Sequence, residues 1–132
     1  MKNRLTLAID FDNTIVEEKY PDIGNLLPNA KKYINKLYEQ GYFIIINTCR
    51  ANEQEAEAED FLYRKGIHFH KLNENQPGRI LQYGTDCRKI SADIYIDDKN
   101  LGGLPDWKTI YKLIRQKTDE LRRDQILVET YS

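Results

Sequence analysis

The residues of this chain with the clearest chemical potential stand at Asp10-Phe11-Asp12-Asn13-Thr14, where a short apolar run beginning at Leu5 ends abruptly in two carboxylates. Side chains of a strand repeat every second position, so this spacing aims both acids into one place. Two like charges a few ångströms apart raise each other's pKa. Such a pair persists where a cation sits between its members or where one of them does proton chemistry. Further reactive side chains close later apolar runs: Thr48 ends YFIIINT, and the adjacent acids Asp97 and Asp98 end DIYIDD, with Lys89 a few residues upstream.

The elements that must position these groups can be read from hydrophobic period. Tyr42 to Thr48 is too short for a buried helix and rich in β-branched residues, which predicts a central strand buried on both faces. A helix is predicted over PNAKKYINKLYEQ, from Pro28 to a stop at Gly41. A second is predicted from Asn52 to Lys65, with Asn52 as cap, Glu55 completing a capping box, and Ala58, Phe61 and Leu62 on its apolar face. Ile67 to Leu72 alternates like a strand near a sheet edge, and Asp93 to Asp97 reads as a fourth strand. Between them NENQPGRILQYGT reads as a polar loop with at most one helical turn. The final amphipathic helix buries Trp107, Ile110, Tyr111, Ile114 and Leu121. Strands alternating with helices predict a single α/β domain spanning 1–132, with a parallel, right-handed central sheet.

In open sheets of this kind ligands bind beyond the carboxyl ends of the strands, where the strand order reverses. Asp10, Asp12, Thr48, Asp97 and Asp98 all fall at such ends. Four converging carboxylates call for cations, and an all-oxygen donor set suits Mg2+ rather than zinc. Lys89 is placed to add positive charge.

This ordered set, Asp10-x-Asp12-x-Thr14, then Thr48, then Lys89, then Asp97-Asp98, resembles the haloacid dehalogenase superfamily of phosphotransferases, and the resemblance runs from Asp10 to Asp98. It implies a Rossmann-like three-layer sandwich and a phosphomonoesterase that works through an aspartyl phosphate. By that resemblance Asp10 is the nucleophile and Asp12 the general acid and base. Thr48 and Lys89 stabilise the transferring group, Asn13 and Thr14 contact substrate, and Mg2+ is held by Asp10, the backbone carbonyl of Asp12, and Asp97 or Asp98. Asn13 stands where the family most often has glycine, and asparagine tolerates unusual turn conformations. The second acid, Asp12, points to phosphate rather than carbon–halogen chemistry. Family members often carry an inserted cap, but Ile15 to Leu27 has room for at most a small flap and Ala51 to Arg88 is used up by other elements. A capless member is expected, with a small or macromolecular phosphorylated substrate.

Arg50, next to the strand-end Thr48, is read either as a contact to substrate phosphate or as a solvated arginine. His68 and His70 share a strand face but have no third ligand nearby, so they read as sheet-edge histidines. A receiver domain of a response regulator also gathers acids, Thr and Lys, but needs its phosphoacceptor after the third strand. Two rival functions stay open: a non-catalytic module that binds phospholigands, and a 3'-phosphatase acting on nucleic-acid ends.

With 132 residues, 40% of them hydrophobic and 31% charged, and a net charge of -1, the composition is that of a globular domain with no general bias toward nucleic acid. A mean hydropathy of -0.70 and the absence of an apolar run near membrane-spanning length argue against a membrane partner. The acids that interrupt the first apolar run argue against a secretory signal, so a cytoplasmic protein is expected. Cys49 and Cys87 form no CxxC pair and lack the arginine that a phosphate-cradling cysteine loop needs.

Overall fold

The apolar run after Leu5 becomes β1 (Thr6–Asp10), a strand buried on both faces through Leu7, Ala8 and Ile9. The computed structural model describes residues 5–77 and 90–131. After β1 the chain forms a hairpin of β2 (Val16–Lys19) and β3 (Asp22–Leu26), then α1 (Ala30–Glu39), β4 (Phe43–Asn47), α2 (Asn52–Arg64), β5 (Lys71–Leu72), β6 (Ile94–Ile96) and α3 (Trp107–Tyr131). All three helices expected from the sequence occur, and the helices and buried strands with stated bounds lie within a few residues of them.

Strands β5, β4, β1 and β6 form, in that order, a wholly parallel sheet. The chain leaves β1 toward β4 and β5 and returns on the other side with β6, so strand order reverses at β1 and a crevice opens beyond its carboxyl end. Register makes the placement specific: Asp10 pairs with Asn47 and Ile9 with Ile96, which sets Asp10, Thr48 and Asp97 at neighbouring strand ends.

Side chains from α1, α2 and α3 join Leu7, Ile9, Ile44 and Ile46 in one apolar cluster. Ala8, Phe43 and Ile45, on the other side of the pleat, are buried as well, so the sheet is covered on both faces. Most of the β5–β6 connection lies outside the described residues. No helix among the described residues is long and apolar enough to cross a membrane.

Three local expectations are corrected. The capping box at the start of α2 does not form. Asn52 is already helical by position and holds a left-handed φ of 54°, while Glu55 accepts a hydrogen bond from Asn73 instead. The third strand is only two residues long. His70 Nδ1 accepts the Ile44 N–H at 2.9 Å, occupying the place of a strand carbonyl, and its ring stacks between Tyr38 and Phe43, so a regular ladder begins only at Lys71. On α3, Tyr111 and Leu121 are half-buried, whereas Thr118, a polar residue on the inner face, is buried and shares a 2.6 Å hydrogen bond with Tyr42 Oη.

The hairpin occupies the stretch that the sequence left as a small flap. Gly24 is required in it, since a β-carbon there would collide with the Glu17 carbonyl at an irregular step in the ladder. The Tyr20–Pro21 peptide bond is cis.

Trp107 ties α3 to the turn that follows β1: its indole N–H donates to the buried Thr14 carbonyl at 2.9 Å. Trp107→Phe deletes that donor and leaves a small void. Urea denaturation is expected to show a loss of about 1–3 kcal/mol with an unchanged m-value.

Candidate functional site

Beyond the ends of β1 and β6, one carboxylate oxygen from each of Asp10, Asp97 and Asp98 lies within 4.8 Å of the others, all three side chains being half-buried. Burial, then the charge of Asp97, then a hydrogen bond with Asp98 push Asp10 from 3.8 up to about 7, against a lowering contribution from the Phe11 N–H. Asp98 moves the other way. Burial opposes its charged form, but the amide of Asn13, donating to Oδ2 at 3.0 Å, together with hydrogen bonds involving Asp97 and Asp10, holds it below the usual range. The Lys99 ammonium stands 3.8 Å from the same oxygen, and the Lys99 N–H donates to Asp97 Oδ1 at 2.9 Å. Among the described residues the cluster is short of positive charge, which together with burial favours a proton on Asp10. Three clustered carboxylates form the hard, all-oxygen donor set that a divalent cation such as Mg2+ accepts.

Asp12 lies two residues on but in a different environment. The chain has left the strand, making a single bridge to Val16, and the Asp12 carboxylate turns toward Arg50. Arg50 Nε and NH2 donate to its two oxygens, both at 2.8 Å, a bidentate pair in which the arginine side chain is 1% exposed. The same guanidinium donates to the carbonyls of Pro21 (2.9 Å) and Asp22 (2.7 Å) at the hairpin tip. It also lies over the rings of Phe11 and Tyr20. Arg50 is therefore not the solvated arginine of one sequence reading: it is buried, and most of its donors are engaged within the protein.

The loop carrying Arg50 is held at its base. Thr48 Oγ1 accepts the Arg50 N–H at 3.1 Å, while the Thr48 N–H donates to Asn73 Oδ1 at 2.8 Å. Asn13 has a φ of 60°, a conformation that glycine or asparagine adopts at small cost, and this turn carries its amide to Asp98. Thr14 is fully buried below Trp107, its hydroxyl without a hydrogen-bond partner among the described residues. Lys89 lies outside the described residues, as do Arg79, Arg88 and Cys87.

The crevice has a volume of about 640 Å3 and is lined by Asp10, Asp12, Asn13, Arg50 and Asp98 from the sequence-read set, whereas Thr14, Thr48 and Asp97 are not on its wall. Glu18, Tyr20, Cys49 and Lys99 line it too. Glu18 and Tyr20 went unread because nothing in a single sequence says that a hairpin folds back over a strand end, Lys99 was not singled out, and Cys49 was considered only for thiol chemistry. The nearest signal was proximity: Cys49 and Lys99 are each adjacent to a residue already singled out. A separate groove of about 490 Å3 runs between β6 and α3, but Ile94, Ile96, Leu104, Leu113 and Ile114 make its wall largely apolar, and none of the strand-end acids reaches it.

No family model matches the chain, and no curated protein does. A solved structure, described as that of a conserved protein coded by a locus from Bacteroides thetaiotaomicron, is 37% identical and superposes with a TM-score of 0.78, over 87% of this chain and 93% of its own. The chain belongs to the family of that conserved protein. Similarity over so much of both chains means that the Bacteroides thetaiotaomicron relative shares the fold over the superposed length.

The raised Asp10 pKa has a measurable consequence. Between the unfolded value of 3.8 and about 7 the native state keeps a proton that the unfolded chain has released, so this group's contribution to stability falls as pH rises across that window. Allowing for solvent screening, the fall is roughly 1–3 kcal/mol in EDTA. Urea titrations at pH 5 and pH 8 are expected to show it, Asp10→Asn to abolish it, and millimolar Mg2+ at pH 8 to offset it.

Proposed function

We propose that this protein is a Mg2+-dependent phosphomonoester hydrolase of the haloacid dehalogenase type, without a cap domain, acting through an aspartyl phosphate on Asp10. The observation that carries the reading is the division of labour between the two acids of the first motif. Asp10 belongs to a cluster with Asp97 and Asp98 suited to a divalent cation, while Asp12 is held apart by Arg50 on the wall of the same crevice.

Asp10, Asp97 and Asp98 would hold the cation. When bound it offsets the repulsion between the Asp10 carboxylate and an anionic phosphate. An Asp10 oxygen attacks phosphorus and the bond from phosphorus to the ester oxygen breaks. Asp12 gives its proton to that departing oxygen, and then, as a carboxylate, takes a proton from the water that attacks the phosphoenzyme and frees Asp10. Asn13 and Lys99 keep Asp98 in place during both steps. Thr48, at the end of β4, braces the Arg50 loop that orients Asp12.

One observation favours a second reading. Both oxygens of Asp12 are occupied by Arg50, and a module that only binds phospholigands has no need to free them. Turnover separates the two. With an aryl phosphate and Mg2+, phosphate release is expected from the wild type, to be lost with EDTA, and to fall on the order of 10³-fold or more in Asp10→Asn. Equal turnover by both proteins rejects the Asp10 mechanism; phosphate binding with no turnover supports the binding module.

A further inference from the structure

We infer that Arg50 sets the substrate class of the crevice: by pinning the hairpin tip it admits small phosphomonoesters and excludes macromolecular polyanions, an inference that rests on the phosphatase reading of the same site. The hairpin base is fixed by buried Val16 and by the backbone bond from Leu27 to Ile15, independently of the tip. At the tip, Lys19, Tyr20, Pro21 and Asp22 are exposed, and among the described residues the hydrogen bonds joining the tip to the rest of the protein run from Arg50 to the Pro21 and Asp22 carbonyls. The Tyr20 ring rests on the same guanidinium, its centroid 5.0 Å from Cζ. Because Asp12 takes the remaining directed donors, the guanidinium cannot swing out without giving up its counter-charge, so the tip is held as a wall.

Size and charge then act together. A crevice of about 640 Å3 is the size of a small-molecule site, and Glu18 and Tyr20 of the hairpin form part of its wall. Tyr20, 56% exposed, offers the organic part of a small ester a flat apolar face. Among the described residues the lining carries four carboxylates, Asp10, Asp12, Glu18 and Asp98, against Arg50 and Lys99, and those two cations already face Asp12 and Asp98. One divalent cation on the Asp10 cluster leaves Glu18 and Asp12 at the mouth. Along this described wall a nucleic-acid strand, which needs basic side chains along its phosphates, meets net repulsion.

Hydrogen exchange and kinetics on the full chain test this. In Arg50→Gln the amides of residues 18–23 are expected to exchange at least tenfold faster while those of β4 stay unchanged, with Arg50→Lys between. For the wild type, kcat/KM for an aryl phosphate is expected to exceed that for a 3'-phosphorylated oligonucleotide at least 100-fold at low salt. That ratio should fall at least tenfold in Arg50→Gln, and taking a ratio cancels any general loss from a misoriented Asp12. Should Arg50→Gln fail to fold, Arg50→Lys and Tyr20→Ala serve the same comparison. Unchanged exchange at the tip, or wild-type turnover of the oligonucleotide equal to that of the aryl phosphate, overturns the inference. A tip that loosens as expected in a protein that turns over neither substrate overturns the phosphatase reading instead, and with it the substrate assignment.

Discussion

Crowding of like charge at the end of β1 is the constraint around which the rest of the molecule is organised. Parallel pairing on both sides of β1 brings the ends of β4 and β6 level with Asp10, and Asp97 and Asp98 follow β6 directly. The sheet is held by Leu7, Ile9, Ile44, Ile46 and Ile96 packed under three helices, which makes the register costly to change: a slip of one residue would exchange those side chains for the ones that fill the opposite face and break the packing of both. The repulsion among the acids is therefore built in by the hydrophobic core. It adds to burial, the larger cause, in pushing Asp10 upward, and its partial relief comes from Asn13 and Lys99 at Asp98.

Asp12 shows how two acids two residues apart acquire different characters. A strand would have put both side chains on one face, but the chain turns after Asp10, and the left-handed Asn13 closes that turn. Asp12 then meets a cation that is otherwise walled in by Phe11, Tyr20 and two backbone carbonyls. A buried guanidinium needs a carboxylate partner, and a carboxylate gripped at both oxygens has its orientation set. The pair joins three separate parts of the chain: the first motif, the loop after β4, and the hairpin tip. Stability and site geometry are thus linked through one contact.

Much of the frame was legible because it rests on local signals. The apolar runs of β1, β4 and β6, the helical faces Tyr33-Ile34-Leu37 and Ala58-Phe61-Leu62, and the tolerance of Asn13 for a turn are all written in short stretches of sequence. What escaped depended on contacts remote in sequence. His70 replaces a strand carbonyl by reaching Ile44, Glu55 abandons a cap to hold Asn73, and Thr118 lies inward because Tyr42 needs a partner. Each is a polar group satisfied by a residue at least 18 positions away, and periodicity carries no information about such partners.

The sequence by itself determined an α/β domain with its acids at strand ends, because hydrophobic period and strand length are properties of consecutive residues. Only the tertiary structure decided which acids share a site and which is set apart. Asp10 joins Asp97 and Asp98 across 87 and 88 positions through strand register, and Asp12 is claimed by Arg50, which the hairpin buries. The physical reason is the same in both cases: the energy of a charge depends on its surroundings once the chain is folded, and those surroundings are assembled from segments that are neighbours only in space.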